Sequence, residues 1–272
     1  MPVRCGCFLR FWHHRSRRHY HCAHGQGACW SCVDLWPFTF QGDNPHAVRY
    51  YSAWEEQDVI YIQTELCLAN VEAEWKGEGG GQGDTGRTPL TEARLCLVAA
   101  HAAAGLAHMH RHGMVHLDVK PSNLYVSLSG HVKLGDFGNA RSAETFPLDS
   151  IAQGLEPLAD VIHGDRKYVA PEVLGIEPKT VEEAGWYAAD IFSLGLSLYE
   201  LASSEPLPAQ GEGYARLRRG DVPHPSAISP ALAALIASML EPDPRQRPTA
   251  GAHWVRGMRR EGGWEKIESR SG

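Results

Sequence analysis

Asp118, Lys120 and Asn123 fall in the stretch His116-Leu117-Asp118-Val119-Lys120-Pro121-Ser122-Asn123, and Asp136-Phe137-Gly138 begins thirteen residues beyond Asn123. A carboxylate can receive the proton of an attacking hydroxyl, and the oxygens of an asparagine and a second aspartate can hold Mg²⁺ across the phosphates of a nucleotide. This stretch therefore carries the groups that phosphoryl transfer from ATP requires. Taken singly, Asp118 or Asp136 would read as a turn or cap aspartate and Lys120 as a solvated surface lysine. Only the joint spacing carries the chemical reading.

Groups so spaced act together only if a frame positions them. Thr91 is a suitable N-cap, and Leu95, Val98, Ala102, Leu106 and Met109 recur at helical spacing until Gly113, which suits the position just past a helix end. The spacing predicts a long amphipathic helix leading to His116. Short extended pieces are expected at residues 124–127 and 131–134, and helices on the stripe Ile191, Leu194, Leu198 and Leu201 and across residues 232–240. Upstream, residues 48–54 and 59–65 are aromatic and β-branched runs separated by Glu55, Glu56, Gln57 and Asp58, the pattern of two hairpin-connected strands. Residues 76–87 hold six glycines in twelve and read as a flexible surface insertion.

The 272 residues allow one large domain or two small ones. With 43% hydrophobic and 21% charged residues, collagen-like, coiled-coil and wholly disordered classes fall away. The longest apolar stretch, residues 95–107, contains His101 and is too short to span a bilayer, so no membrane partner is expected. A net charge of −6 gives no reason to expect nucleic acid. Five of the seven cysteines lie in the first 32 residues, together with His13, His14, His19, His21 and His24. Only Cys29 and Cys32 form a C-x₂-C pair and no second pair follows, so this segment reads as poorly packed chain rather than a zinc module. It lacks a secretory h-region, and reduced thiols are the default.

The interval from Asp118 to Asn123 is that of the catalytic loop H-R-D-L-x-x-x-N of protein kinases, Asp136 to Gly138 is the D-F-G element, and Ala170-Pro171-Glu172 the A-P-E element, in the required order. From about residue 45 to about 257 the chain resembles a eukaryotic protein kinase. The resemblance implies an α+β fold, with a mainly helical C-lobe and a truncated antiparallel N-lobe sheet of two or three strands around residues 47–66. It divides the chain into a poorly ordered segment 1–44, a kinase domain 45–257 (N-lobe remnant and hinge 45–70, C-lobe 71–257) and a tail 258–272. It implies Asp118 as catalytic base and Lys120 as the residue that steadies the transferred phosphate. Asn123 and Asp136 become Mg²⁺ ligands, Thr64 the gatekeeper, Glu65, Leu66 and Cys67 the hinge that meets adenine, and Tyr125 the floor beneath it. Asp190 matches a buried anchor of the catalytic loop, and Arg247 the partner of Glu172, a pair that would otherwise read as a surface ion pair. The cofactors implied are ATP and Mg²⁺.

Leu117 replaces the arginine that ordinarily meets an activation-loop phosphate, which argues against switching by loop phosphorylation. The sequence His-Leu-Asp-Val-Lys-Pro, the strand Arg49-Tyr50-Tyr51-Ser52-Ala53-Trp54, the Gly164-Asp165 pair and Glu205-Pro206-Leu207-Pro208 resemble the Wee family, which inhibits cyclin-dependent kinases. That resemblance implies a monomeric nuclear or cytoplasmic enzyme that phosphorylates Tyr or Thr (or Ser/Thr) of a cyclin-dependent kinase and restrains mitotic entry. Kinases of the alpha subunit of initiation factor 2 are the second resemblance, but they keep Arg at position 117 and Gly-Thr at 164–165. The departure lies upstream: no Gly-rich loop precedes the hinge, the first lysine is Lys76 and the first glutamate Glu55. The competing expectation is a pseudokinase or truncated gene product acting as a binding module.

Overall fold

The computed structural model describes residues 9–14, 17–22, 44–56, 59–77, 88–143, 165–174, 183–203 and 205–251. Four strands form an antiparallel sheet in the order β1-β2-β4-β3: β1 Leu9–His14, β2 Arg17–Cys22, β3 Tyr50–Glu56 and β4 Val59–Thr64. The β3–β4 ladder continues to Glu55↔Ile60 and Glu56↔Val59, beyond the expected polar break, because backbone pairing does not require apolar side chains. Within the segment expected to lack order, β1 and β2 pair along their whole length, and His19 of β2 meets Tyr61 of β4. The physical reason is the open edge of β4, whose unpaired N–H and C=O groups offer a template to any extended neighbour. The other residues of 1–43, including Cys5, Cys7, Cys29 and Cys32, lie outside the described residues, as do 78–87 of the glycine-rich insertion and the tail.

The remaining described residues are mainly helical. A second sheet, β5-β7-β8, comprises Cys67–Asn70, Leu124–Ser127 and Val132–Leu134, and a short ladder joins β6 Met114–Val115 to β9 Arg141–Ser142. The helices are α1 Val71–Trp75, α2 Glu92–Arg111, α3 Glu183–Leu201, α4 Gly211–Arg218 and α5 Pro230–Met239. Thr91 caps α2 by accepting from Arg94 N at 3.3 Å, and Gly113 ends it at φ 70°, a left-handed turn that glycine makes without strain. Helices α1 and α4 went unread in the sequence, being five and eight residues long with too few turns for a periodic stripe.

Burial of α2 and α3 supplies the core. Leu95, Val98, Ala102, Leu106 and Met109 of α2 and Ile191, Leu194, Leu198 and Leu201 of α3 are all essentially inaccessible, in one cluster with Leu124, Leu134 and Ile236. No helix among the described residues is long and apolar enough to cross a membrane.

Glu172 and Arg247 are not the surface pair that their spacing alone suggested. Arg247 Nη1 and Nη2 donate to the Glu172 carboxylate at 2.6 and 2.8 Å, and the arginine side chain has no exposed surface. Its remaining donors reach the carbonyls of Glu241, Ala188 and Pro242, and it lies over the Phe192 ring. The bidentate geometry satisfies both buried charges, so removal of one strands the other. Glu172→Ala is expected to lower unfolding free energy by about 3–5 kcal/mol in urea titration, the cost of breaking a buried pair.

Candidate active site

The central helix α3 places Asp190, fully buried, under the loop that follows β6. Its Oδ2 accepts from His116 N at 2.8 Å and meets His110 Nε2 at 2.9 Å, while Oδ1 accepts from Leu117 N at 2.8 Å. These bonds hold Leu117 at φ 60°, a left-handed conformation costly for a residue with a branched side chain. Asp118 N donates to His116 Nδ1 at 3.3 Å, so the imidazole carries its proton on Nε2 and donates to Gly135 O at 3.2 Å. One histidine thus ties the loop to the residue before Asp136. The His116 ring also packs on Phe137, with centroids 5.3 Å apart.

Asp118, Asn123, Lys120 and Asp136 come together at one place. Lys120 Nζ donates to both carboxylate oxygens of Asp118 at 3.0 and 2.9 Å. Asn123 Nδ2 donates to Asp118 O and Oδ2, each at 2.9 Å, which leaves its Oδ1 without a donor among the described residues. Asp165 N adds a third contact to Asp118, at 3.3 Å. Asp136, also left-handed at φ 60°, has its pKa raised by burial and by the Asp118 charge, against the opposing influence of His116, Lys120 and the Gly138 N–H. Two carboxylates near enough for one to raise the pKa of the other, with an amide oxygen that has no donor among the described residues, are hard donors whose charge a divalent cation would neutralise, so the residues fit Mg²⁺. Asn123 and Asp136 would hold it, and the ion would screen the charge of nucleotide phosphates.

The expected adenine-binding residues lie at the end of β4 and on β5 and β7. Thr64 closes β4, with Oγ1 at 3.5 Å from Glu65 O. The Glu65 side chain is committed elsewhere: it accepts from Lys133 Nζ at 2.7 and 2.9 Å and from Arg49 N at 2.8 Å. Its backbone N–H is used as well, by Arg49 O at 2.8 Å. Lys133 was not singled out in the sequence; it stands 68 positions from Glu65, and only the pairing of β7 with β8 brings it there. Cys67 and Tyr125 are buried and pack with Val48 in a small apolar cluster. Gly135 lies beneath them, where an added Cβ would stand 2.7 Å from the Tyr125 ring and 2.9 Å from Val48 Cγ2. Tyr125, expected as the floor beneath adenine, is thus laid directly on the Gly135 backbone, an approach only glycine permits.

The loop's dependence on Asp190 can be measured. Asp190→Ala leaves two buried N–H donors, those of His116 and Leu117, without an acceptor. At about 1–3 kcal/mol for each orphaned group, a loss of about 2–6 kcal/mol is expected in chemical denaturation. A change below about 1 kcal/mol would show that the loop has another support.

Comparison with known proteins agrees with this geometry. The family described as protein kinase domain matches residues 39–255. "Wee1-like protein kinase 2-C" of Xenopus laevis is 32% identical over 231 residues, covering 78% of this chain and 38% of that protein. "Wee1-like protein kinase" of Drosophila melanogaster is 31% identical over 238 residues, covering 80% and 37%. The Caenorhabditis briggsae protein "Membrane-associated tyrosine- and threonine-specific cdc2-inhibitory kinase wee-1.3" is 33% identical over 212 residues, covering 76% and 28%. The chain spans less than half the length of these relatives. With the catalytic-loop, D-F-G and A-P-E residues placed as described and the family matched across most of its length, the chain belongs to the protein kinase family and resembles its Wee members.

Proposed function

We propose that the chain acts as a Wee-type protein kinase, transferring the γ-phosphate of ATP to a tyrosine or threonine of a cyclin-dependent kinase and so restraining mitotic entry. The grouping around Asp118, with Lys120 and Asn123 bonded to its carboxylate and Asp136 near enough to feel its charge, is the observation that supports it. In this reading Asp118 receives the hydroxyl proton, Lys120 turns from Asp118 to the transferred phosphate, and Asn123 and Asp136 hold Mg²⁺. Thr64, Glu65, Cys67 and Tyr125 line the adenine site, with backbone groups of the hinge as its polar contacts. Phosphate added to the target would bring a charge of about −1.5 to −2 beside its own nucleotide and spoil its positioning. A nuclear or cytoplasmic monomer goes with this reading.

Labelled ATP, Mg²⁺ and a cyclin-dependent kinase complex test it directly. Incorporation on tyrosine or threonine is expected, and Asp118→Asn should reduce it by about 10²–10⁴-fold, the usual contribution of a general base. No incorporation above the Asp118→Asn background would refute the assignment.

A non-catalytic binding module is the second reading, supported by the absence of any lysine before Lys76. In a complete kinase a strand lysine and Gly-rich loop cover the phosphates from the side opposite Asp136. Charge-assisted contacts of that kind are worth about 1.5–3 kcal/mol each, so without them ATP should bind at least about a hundredfold more weakly. No rise in melting temperature is therefore expected with micromolar ATP and Mg²⁺ in a thermal-shift assay. A clear rise would show that residues 1–44 rebuild a cover for the phosphates.

A further inference from the structure

Strand β8 ends its sheet, so the backbone groups it turns away from β7 need partners of their own. Residues 46–48 and two imidazoles supply them. Leu134 N donates to His46 O at 2.9 Å and Leu134 O accepts from Val48 N at 2.7 Å, with a parallel bridge between Ala47 and Leu134. Two residues back along β8, Val132 N donates to His101 Nδ1 of α2 at 3.1 Å, and Val132 O accepts from His46 Nδ1 at 3.4 Å. Val132, fully buried, thus has both of its main-chain polar groups on histidine rings.

A third ring completes the group. The centroid of His131 lies 5.3 Å from that of His101 and 6.0 Å from that of His46, which are themselves 4.4 Å apart. Ser129 Oγ stands 2.9 Å from His131 Nδ1 and fixes that ring, while Ser127 Oγ accepts from His131 N. The rings come from three elements: the segment ahead of β3, the middle of α2 and the turn between β7 and β8. No three His, Cys, Asp or Glu side chains among the described residues are set to hold a metal ion, so the proton is the ligand these rings share. The nearest charged or titratable residues on α2 are Arg94, bound to Glu74, and His108, each two turns from His101. On β8 it is Lys133, bound to Glu65, and ahead of β3 the exposed Arg49. Residues 44–54, 93–117 and 119–135 contain no Asp or Glu, so these elements bring no carboxylate to stabilise an imidazolium.

The acceptor role of His101 decides what acid does. Nδ1 takes the Val132 N–H through its lone pair, so the ring is neutral in this arrangement. A proton on Nδ1 sets two N–H groups against each other and leaves a buried main-chain donor without an acceptor. The neighbouring rings at 4.4 and 5.3 Å make a second positive charge costly as well.

We propose that His46, His101 and His131 form a proton-sensitive joint: with His101 neutral it fastens β8 to α2 and to residues 46–48, and acid releases it. The release reaches the candidate site, because Leu134 is followed by Gly135, whose N–H donates to Asn123 O at 3.0 Å, and by Asp136. The joint belongs to the fold around β8 and stands whether or not the chain transfers phosphate.

An imidazole in the unfolded chain takes its proton near pH 6.5, at about the ordinary value for histidine. The folded chain needs His101 neutral, so stability is full above that value and falls as the pH drops below it. Urea unfolding of the full chain between pH 5 and 8 tests this, with His101→Gln as the comparison, since the glutamine amide oxygen still accepts a hydrogen bond and does not titrate. One imidazole held neutral raises the unfolding constant about 25-fold between pH 7 and 5. The rise in the wild type is therefore expected to exceed that in His101→Gln by about 10-fold to 25-fold, and parallel profiles would overturn the proposal. Amide hydrogen exchange of the wild type needs no variant and remains decisive should His101→Gln fail to fold. After correction for the intrinsic exchange rate, protection of the Val132, Leu134 and Gly135 amides is expected to drop about tenfold from pH 7 to 5. Constant protection at Val132 would refute the joint, and loss at Val132 without loss at Gly135 would refute its reach to the site.

Discussion

The carboxylate of Asp190 accepts the backbone N–H groups of His116 and Leu117 from inside the central helix, and the site is assembled outward from those bonds. A buried carboxylate without donors would be expensive, and two amides of one turn together with His110 satisfy it. Satisfying it forces Leu117 into a left-handed conformation, which sets the direction in which Asp118 leaves the turn. His116 extends the same constraint to Gly135, so both aspartates of the cleft are referenced to one helix. Helix α3 can bear this load because its apolar stripe is wholly inaccessible.

Three further contacts brace the surroundings of Asp118 and Asp136, and all join elements far apart in sequence. Lys133 and Glu65 tie the strand before Asp136 to the residue that follows β4, with partial burial on both sides of the ion pair. Arg218 ties α4 to the segment that touches Asp118. Glu172 and Arg247 hold the end of that same segment to the base of α3, through carbonyls on both sides of the ion pair. The half of the cleft that carries Asp118, Asn123 and Asp136 is therefore braced at several points by charge-assisted bonds. The four strands β1 to β4 contain no lysine, and beside β4 stands the hairpin of β1 and β2.

Much of this architecture is legible along the chain. The apolar spacing of α2, its Thr91 cap and its Gly113 terminus predicted the helix to within two residues, because caps and periodicity are local properties. Strands β7 and β8 fall within one residue of their expected ranges, whereas the apolar stripe from Ile191 marks only the second half of α3, which begins at Glu183. Short elements escaped: α1 has five residues, and α4 is polar enough that its eight residues show no stripe. The pairing of residues 9–22 beside β4 was not legible either, since strand partnership depends on which edge is left open rather than on the strand's own sequence.

What the sequence determined by itself is the set of chemical groups and their order: two aspartates, an asparagine and an adjacent lysine, on a frame of helices whose periodicity marks the buried face. Tertiary structure decided which of those groups meet. Glu172 and Arg247 are buried because Arg247 finds three carbonyls and the Phe192 face, and none of these partners follows from a spacing of 75 residues. Glu65 points to Lys133, and Arg218 surrenders its hydration to the carbonyls of residues 166–169, for the same reason. Whether a charge is solvated or desolvated is set by what the fold packs around it, and desolvation decides the strength of every such contact.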